Sequence, residues 1–235
     1  MQWKQSRLIA ALVIVTAAGS QAQAQGMQPR YRAMAPVHEY LMANRKAEVA
    51  LARSAAPAAI SSRAEVMVLG RQGFEVAAQG TNHFVCLVER SWDAAVGSPK
   101  FWDPEIRGPD CFNEAAAKSY LPIVLMKSRL ALAGKTEAQI GEAVEAAFDR
   151  KELPPMEPGA MSYMMSRQAN LGGGVGHWHP HLMFFVPMAM SKSWGANRPG
   201  SPILAGEDAP DRLTIFMIPV PRWSDGTADS PAGKR

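Results

Sequence analysis

Short apolar runs separated by turn residues form the first pattern along the chain. Positions 64–69, 74–78 and 83–89 are apolar and of strand length, and turns that contain glycine separate them. Three such runs at short intervals predict antiparallel strands joined as a meander. In the third run apolar residues stand at both odd and even positions, which predicts a strand covered on both faces.

One helical pattern precedes these runs and another follows them. Residues 37–55 are rich in helix-forming side chains and lie between Pro36 and Pro57. Because proline is tolerated in the first helical turn and ends a helix elsewhere, this segment predicts one helix. After the strands, Asn113 is a favourable N-cap for a second helix, which Pro122 should interrupt or kink.

The clearest amphipathic helix begins after Thr136. Thr136 and Gln139 have the spacing of a capping box, in which each side chain bonds the backbone N–H of the other residue. Apolar side chains then recur at helical intervals, at Ile140, Ala143, Val144, Ala147 and Phe148. This spacing predicts a helix whose apolar side packs on the core.

The last part of the chain is again strand-like. Apolar runs occupy 161–166, 182–186 and 213–218, and long loops are predicted at 91–112 and 191–211. Strands, then helices, then strands favour an α+β fold. We therefore predict a largely antiparallel sheet with helices packed on one face.

The first residues have the pattern of a cleaved export signal. Lys4 and Arg7 precede an apolar run at 8–18 that is too short to span a bilayer. Residues 22–24 fit the A-x-A cleavage pattern, so we expect cleavage after Ala24. An uncleaved N-terminal anchor is the alternative.

Cleavage at this point defines the expected organisation of the chain. The predicted parts are a signal peptide at 1–24, a leader at 25–35, a single α+β domain at 36–223 and a disordered tail at 224–235. No later stretch approaches the roughly 20 apolar residues of a membrane helix. We therefore expect a periplasmic or extracellular protein without a stable membrane anchor.

Charge argues against one class of partner. The formal net charge is +4, and two of the positive side chains, Lys4 and Arg7, belong to the predicted signal peptide. The remaining basic side chains are scattered, whereas a nucleic-acid surface needs a concentrated basic patch. We expect no nucleic-acid partner, and the sequence leaves a small-molecule or protein partner unidentified.

The sequence contains two cysteines, Cys86 and Cys111. In an exported chain such a pair is naturally interpreted as a disulfide, because the compartment is oxidising. Two separate buried thiols are the alternative. A catalytic dithiol is disfavoured because the close C-x-x-C spacing is absent.

Candidate chemistry concentrates in one segment that contains His177, His179 and His181. These are three of the five histidines in the protein, and a glycine-rich stretch precedes them. In an extended segment they share one side, with neighbouring histidines about 6.8 Å apart along the chain. Two neighbours can chelate one ion, and imidazole suits zinc, copper or iron. The sequence therefore predicts a divalent transition-metal site, and metal-assisted hydrolysis if the protein is an enzyme.

The alternative is a non-catalytic envelope protein with structural histidines. In that interpretation the aromatic loops around Trp92, Trp102 and Trp194 bind a partner or a small ligand. Methionines near the histidines raise the minority hypothesis of copper handling, although packing is their more common role. No catalytic signature such as G-x-S-x-G or H-E-x-x-H is present.

Overall fold

A computed structural model of the chain describes residues 31–172 and 179–229. The predicted signal peptide, most of the leader, His177 and residues 230–235 lie outside the described residues. The helices are α1 Val37–Tyr40, α2 Arg45–Arg53, α3 Ala58–Ser61, α4 Glu114–Ser119, α5 Leu121–Leu132 and α6 Glu137–Asp149, and a short 3₁₀ helix spans Ser91–Asp93. The strands are β1 Glu65–Gly70, β2 Gly73–Ala78, β3 Val85–Glu89, β4 Gly108–Phe112, β5 Met161–Met164, β6 His181–Pro187, β7 Leu204–Asp208 and β8 Leu213–Pro219.

These strands form one eight-stranded sheet in the order β2-β1-β3-β4-β5-β6-β8-β7. Neighbouring strands run antiparallel except β1 and β3, which are parallel. The predicted α+β class with a largely antiparallel sheet is therefore confirmed. No helix in the described ranges is long and apolar enough to cross a membrane.

The sheet separates two apolar layers. On one face, helices α4 to α6 pack on side chains such as Leu87, Phe112 and Phe185. On the opposite face, α2 packs on Val66, Val88 and their neighbours. Alternate residues of β3 thus enter opposite layers, which explains why apolar residues occupy both of its faces. The main helical layer lies on one face as predicted, and α2 adds a smaller layer on the other.

The meander predicted for the first three strands is correct for β1 and β2 but wrong for β3. β1 and β2 form a hairpin, but β3 pairs in parallel with the other side of β1. The connecting chain passes so close to β1 that any side chain at Gly80 would collide with the backbone of Glu65. His83 lies in this connection in a left-handed conformation, with φ 62°, and not in the strand.

The helix predicted at 37–55 is two helices. Tyr40 ends α1, and its buried hydroxyl donates to the carbonyl of Trp102 at 2.8 Å. Asn44 begins α2 by accepting from the backbone N–H groups of Lys46 and Ala47. Anchoring of Tyr40 and a new N-cap four residues later interrupt a stretch whose composition alone favours a continuous helix.

Each of the two predicted long loops contains a strand that the sequence pattern did not reveal. β4 includes Gly108 and Pro109, and β7 includes Gly206, so neither has a typical strand composition. Trp92 and Trp102 of the first loop are buried, at 0% and 4% exposure, and therefore pack the core. Ligand binding by the aromatic loops stays a prediction, since Trp102 also lines a cavity beside Gly134.

Part of the predicted tail has a hydrogen-bonded structure. The Ser224 N–H donates to the carbonyl of Met165, and its hydroxyl donates to the carbonyl of Ser54. Further on, the Asp229 N–H donates to the carbonyl of Pro221 at 2.9 Å. Residues 224–229 thus fold back against the domain.

The predicted disulfide between Cys86 and Cys111 is confirmed. The two residues stand directly opposite each other on β3 and β4, and both are fully buried. The bond closes a loop with a sequence separation of 25 residues in the layer covered by α2. The disulfide therefore links β3 covalently to β4, the strand at the end of the predicted 91–112 loop.

We expect removal of this bond to destabilise the fold. On the chain-entropy model a loop of this length contributes about 3 kcal/mol, and the Cys86→Ser/Cys111→Ser variant should lose a free energy of unfolding of that order. Denaturant titration of both proteins, with and without reductant, measures the loss. Reductant should lower the stability of the natural protein and leave the double variant unchanged, and equal stability of both proteins would contradict the assigned role.

Candidate functional site

The structure places two of the three predicted metal ligands at the start of β6. His181 is the first residue of the strand, and His179 precedes it by two positions in the connection that leads into β6. Pro180 lies between them, and its carbonyl accepts from the N–H of Val220 at 2.9 Å. His177 lies outside the described residues, so the described site rests on His179 and His181.

His181 is a buried histidine with a defined tautomer. Its side chain is on the face covered by α4 to α6, and the residue is 4% exposed. Its Nδ1 lies 3.0 Å from the carbonyl oxygen of His179. Because a carbonyl oxygen can only accept, Nδ1 carries the proton. Burial lowers the pKa of His181, so near neutral pH the ring is uncharged and its lone pair lies on Nε2.

His179 is oriented by a carboxylate from the C-terminal segment. Its Nδ1 lies 2.6 Å from Oδ2 of Asp229, and half of the His179 side chain is exposed. Asp229 is held in turn by its own backbone N–H, which donates to Pro221. The ring N–H therefore donates to a fixed carboxylate, which sets the direction of the opposite ring nitrogen.

A complete metal shell is not present among residues 31–172 and 179–229. In these ranges no group of three histidine, cysteine, aspartate or glutamate side chains is placed to hold a metal ion. His38 on α1 and His83 before β3 therefore do not join His179 and His181 in such a group. The described chain supplies a pair of imidazoles and an orienting carboxylate.

A second group of ionisable side chains is buried between the sheet and α5. We call it the acidic cluster, and its members are Glu89 on β3, Asp93 in the 3₁₀ helix, Asp110 on β4, Asp211 in the turn after β7, and Lys127 on α5. Lys127 Nζ lies 2.5 Å from Oδ2 of Asp211 and 3.7 Å from Oδ2 of Asp208. The lysine thus joins the helical layer to the far end of the sheet.

Burial dominates the protonation of this cluster. It raises the pKa of Asp211 to about 6, of Asp93 to about 7 and of Asp110 to about 8. Burial, followed by the charge of Asp110, raises the pKa of Glu89 well above its ordinary value. Burial lowers the pKa of Lys127, but the charges of the neighbouring aspartates outweigh it, so the net shift is upward. The lysine stays charged and several of the acids hold protons near neutral pH.

Hydrogen bonding within the cluster is incomplete. Among the described residues, four buried carboxylate oxygens of the cluster have no hydrogen-bond partner: Glu89 Oε1, Asp93 Oδ1, Asp110 Oδ2 and Asp211 Oδ1. An ionised carboxylate without a partner is costly in a low-dielectric interior, which favours the neutral acid. Acids with pKa values near 7 are groups that can exchange protons under physiological conditions.

Local sequence patterns do not reveal the acidic cluster. Its members are spread from position 89 to position 211, and only Glu89 and Asp93 are near each other in the chain. One signal was visible, because alternation in β3 places Glu89 on the same face as Val85 and Leu87. A carboxylate at the end of an apolar face predicts a buried acid that needs a partner.

We expect the acidic cluster to make the protein less stable as pH rises. Each of these carboxyl groups has a raised pKa in the folded state, so above about pH 4 the folded protein binds more protons than the unfolded chain. That extra stability is lost as pH rises through the folded pKa values. The free energy of unfolding should therefore fall between about pH 5 and pH 8, by at least about 2 kcal/mol.

The matched control is Asp110→Asn, which cannot ionise and should reduce this pH dependence. His181 acts in the opposite sense, because its lowered pKa removes stability as pH falls below about 6.5. Denaturant titrations at several pH values measure both proteins. A natural protein that becomes more stable from pH 5 to pH 8 would show that the carboxyl groups are ionised in the fold.

Comparison of the chain with protein-family models, with curated proteins and with solved structures finds no match. The chemistry of the site is therefore interpreted from its own residues and geometry.

Proposed function

We propose that this is an exported protein that binds one divalent transition-metal ion through Nε2 of His179 and Nε2 of His181. One observation carries the proposal: each ring uses Nδ1 for an oxygen acceptor, the Asp229 carboxylate in one case and a backbone carbonyl in the other. Both rings are thereby fixed to offer the same nitrogen to a ligand. This is the usual environment of histidines that bind metal.

The two histidines are also close in the chain. They stand at alternate positions immediately before and at the start of β6, the spacing at which two side chains of an extended segment share one side. Burial lowers the pKa of His181, so its ring is uncharged near neutral pH. An uncharged imidazole is the form that binds a metal.

Zinc, copper and iron are the ions that fit this donor set. Imidazole nitrogen is a good ligand for all three. Met164 stands opposite His181 on β5 and packs in the core, so its thioether is a nearby soft donor that favours copper among the alternatives. The sequence further nominates His177 as a third imidazole.

The reaction class follows from the small number of protein ligands. A metal held by two or three imidazoles keeps coordination positions for water. If a metal were bound there, it would lower the pKa of a bound water and so make hydroxide available near neutral pH. Metal-assisted hydrolysis is therefore the class of activity that we would test first.

One observation favours the alternative of a non-catalytic envelope protein that binds a ligand or partner. A buried histidine whose Nδ1 donates to a backbone carbonyl, as in His181, also occurs as a purely structural residue. In that case the histidines would fix the entry of the chain into β6, and the ligand would bind elsewhere. Metal content separates the two functions.

We expect the mature protein, purified from the periplasm without a chelator or an affinity tag, to contain about one equivalent of metal by elemental analysis. The His179→Ala/His181→Ala variant should contain none. His38→Ala is the matched control, because His38 is exposed on α1, and it should retain the metal. A natural protein that is metal-free and also fails to bind added zinc or copper would refute the proposal and support structural histidines.

Asp229 provides a second test, because it is a positioning residue rather than a ligand. Asp229→Asn should weaken zinc binding by about 10-fold to 100-fold, since an amide orients the His179 ring less strongly than a carboxylate does. The melting temperature of the metal-free protein should change little. Asp225→Asn, in the same C-terminal turn, is the control, and equal affinities in the two variants would show that Asp229 has no role in binding.

A further inference from the structure

A cavity of about 510 Å³ lies between the end of α6 and the turn after β7. Its volume is within the range of small-molecule sites in proteins. Its ionisable lining residues are Lys151, Asp211 and Arg212. We call it the Asp211 cavity.

Most of the walls of the Asp211 cavity are apolar and stiff. Three prolines, one aromatic ring, Leu153 and Met156 make up the apolar part. Proline has a fixed φ, so these walls lose little freedom when a ligand binds. The shape of the cavity is therefore suited to a compact hydrocarbon body.

The inner wall contains Asp211, a buried carboxyl group that is only partly engaged by the protein. The residue is 2% exposed, and its Oδ1 has no hydrogen-bond partner in the described ranges. Its Oδ2 lies 2.5 Å from Lys127 Nζ, and the same ammonium group lies 3.7 Å from Oδ2 of Asp208. One buried cation is therefore shared by two carboxyl groups, so the protein side of the cavity favours a further positive charge.

Two cations at the rim have the opposite effect, but they are weaker. Arg212 is exposed, and its guanidinium group is engaged by Asp149 at 2.5 Å and by the ring of Phe148 at 5.4 Å. Lys151 is exposed to solvent. Water and salt screen exposed charges, whereas buried charges are screened much less. The electrostatic preference of the cavity is therefore set by Asp211 and its neighbours.

We propose that the Asp211 cavity binds a small molecule that combines an apolar body with one protonated amine. The body contacts the proline-lined walls, and the ammonium group lies against the acidic inner wall. This site is separate from the histidines, because His181 and Pro187 are the two ends of β6, about 20 Å apart along the strand. The inference does not depend on metal binding.

The test uses three probes with the same phenylethyl body and different heads: phenethylamine, 2-phenylethanol and 3-phenylpropanoate. Binding to the full mature protein is followed by NMR of methyl-labelled methionine. The Met156 methyl group lines the cavity, and Met42, packed in the α2 layer on the other face of the sheet, is the internal control. We expect phenethylamine to shift Met156 and leave Met42 unchanged, and to bind at least about tenfold more tightly than 3-phenylpropanoate.

The Asp211→Asn variant should reduce the affinity for phenethylamine by at least about tenfold and leave that for 2-phenylethanol nearly unchanged. Glu152→Gln removes a carboxylate from the adjacent exposed surface and should have no effect. If Asp211→Asn does not fold, the comparison of the three heads on the natural protein decides the question. Absence of amine binding, or equal or tighter binding of the carboxylate, would overturn the proposal.

Discussion

The packing of the helical layer on the sheet depends on the buried ion pairs that Lys127 makes with Asp211 and Asp208. The lysine is 1% exposed, and it joins α5 to Asp211 and Asp208 at the far end of the sheet. Removing one partner from a buried ion pair leaves an uncompensated charge and typically costs about 3–5 kcal/mol. The charge of the same lysine lowers the pKa values of Asp93 and Asp211 and so opposes the effect of burial on them. Packing of the helical layer, protonation of the acidic cluster and the charge of the Asp211 cavity are therefore linked through one side chain.

The geometry of the histidines depends on the order of the strands rather than on their own segment. β6 lies between β5 and β8, so the chain that leaves β8 passes directly beside the start of β6. The Val220 N–H bonds the Pro180 carbonyl there, and the following turn brings Asp229 to His179. A segment without apolar patterning thus contributes an orienting carboxylate.

Features that depend on near neighbours in the chain could be predicted from the sequence. The capping box of Thr136 and Gln139 forms, Asn113 caps α4, and α5 begins around Pro122, because these signals act over a few residues. The disulfide followed from cysteine number and compartment. The His-x-His spacing identified a segment in which Nδ1 of both His179 and His181 has an oxygen partner, although it could not reveal Asp229.

Features that depend on distant pairing could not be predicted in the same way. The parallel contact of β3 with β1 and the strands β4 and β7 are stabilised by neighbours in the sheet rather than by their own composition. The acidic cluster is the strongest case. No window of sequence contains more than two of its acids, and burial, which changes their chemistry, exists only after the sheet and α5 pack together.

The remaining surfaces of the sheet explain why both candidate sites lie at strand ends. Helices cover one face, and on the other face α2 covers one half while Trp194 stacks on Phe216 at 4.1 Å in the other half. The edge strand β7 is covered by the side-chain amide of Asn197, which both donates to and accepts from the backbone of Ala205. Arg45 donates to the Val76 carbonyl on the opposite edge strand, β2. Because the faces are covered and the edges are partly occupied, polar side chains and cavities are left at the ends of the strands. β6 accordingly has the histidines at one end and the Asp211 cavity at the other.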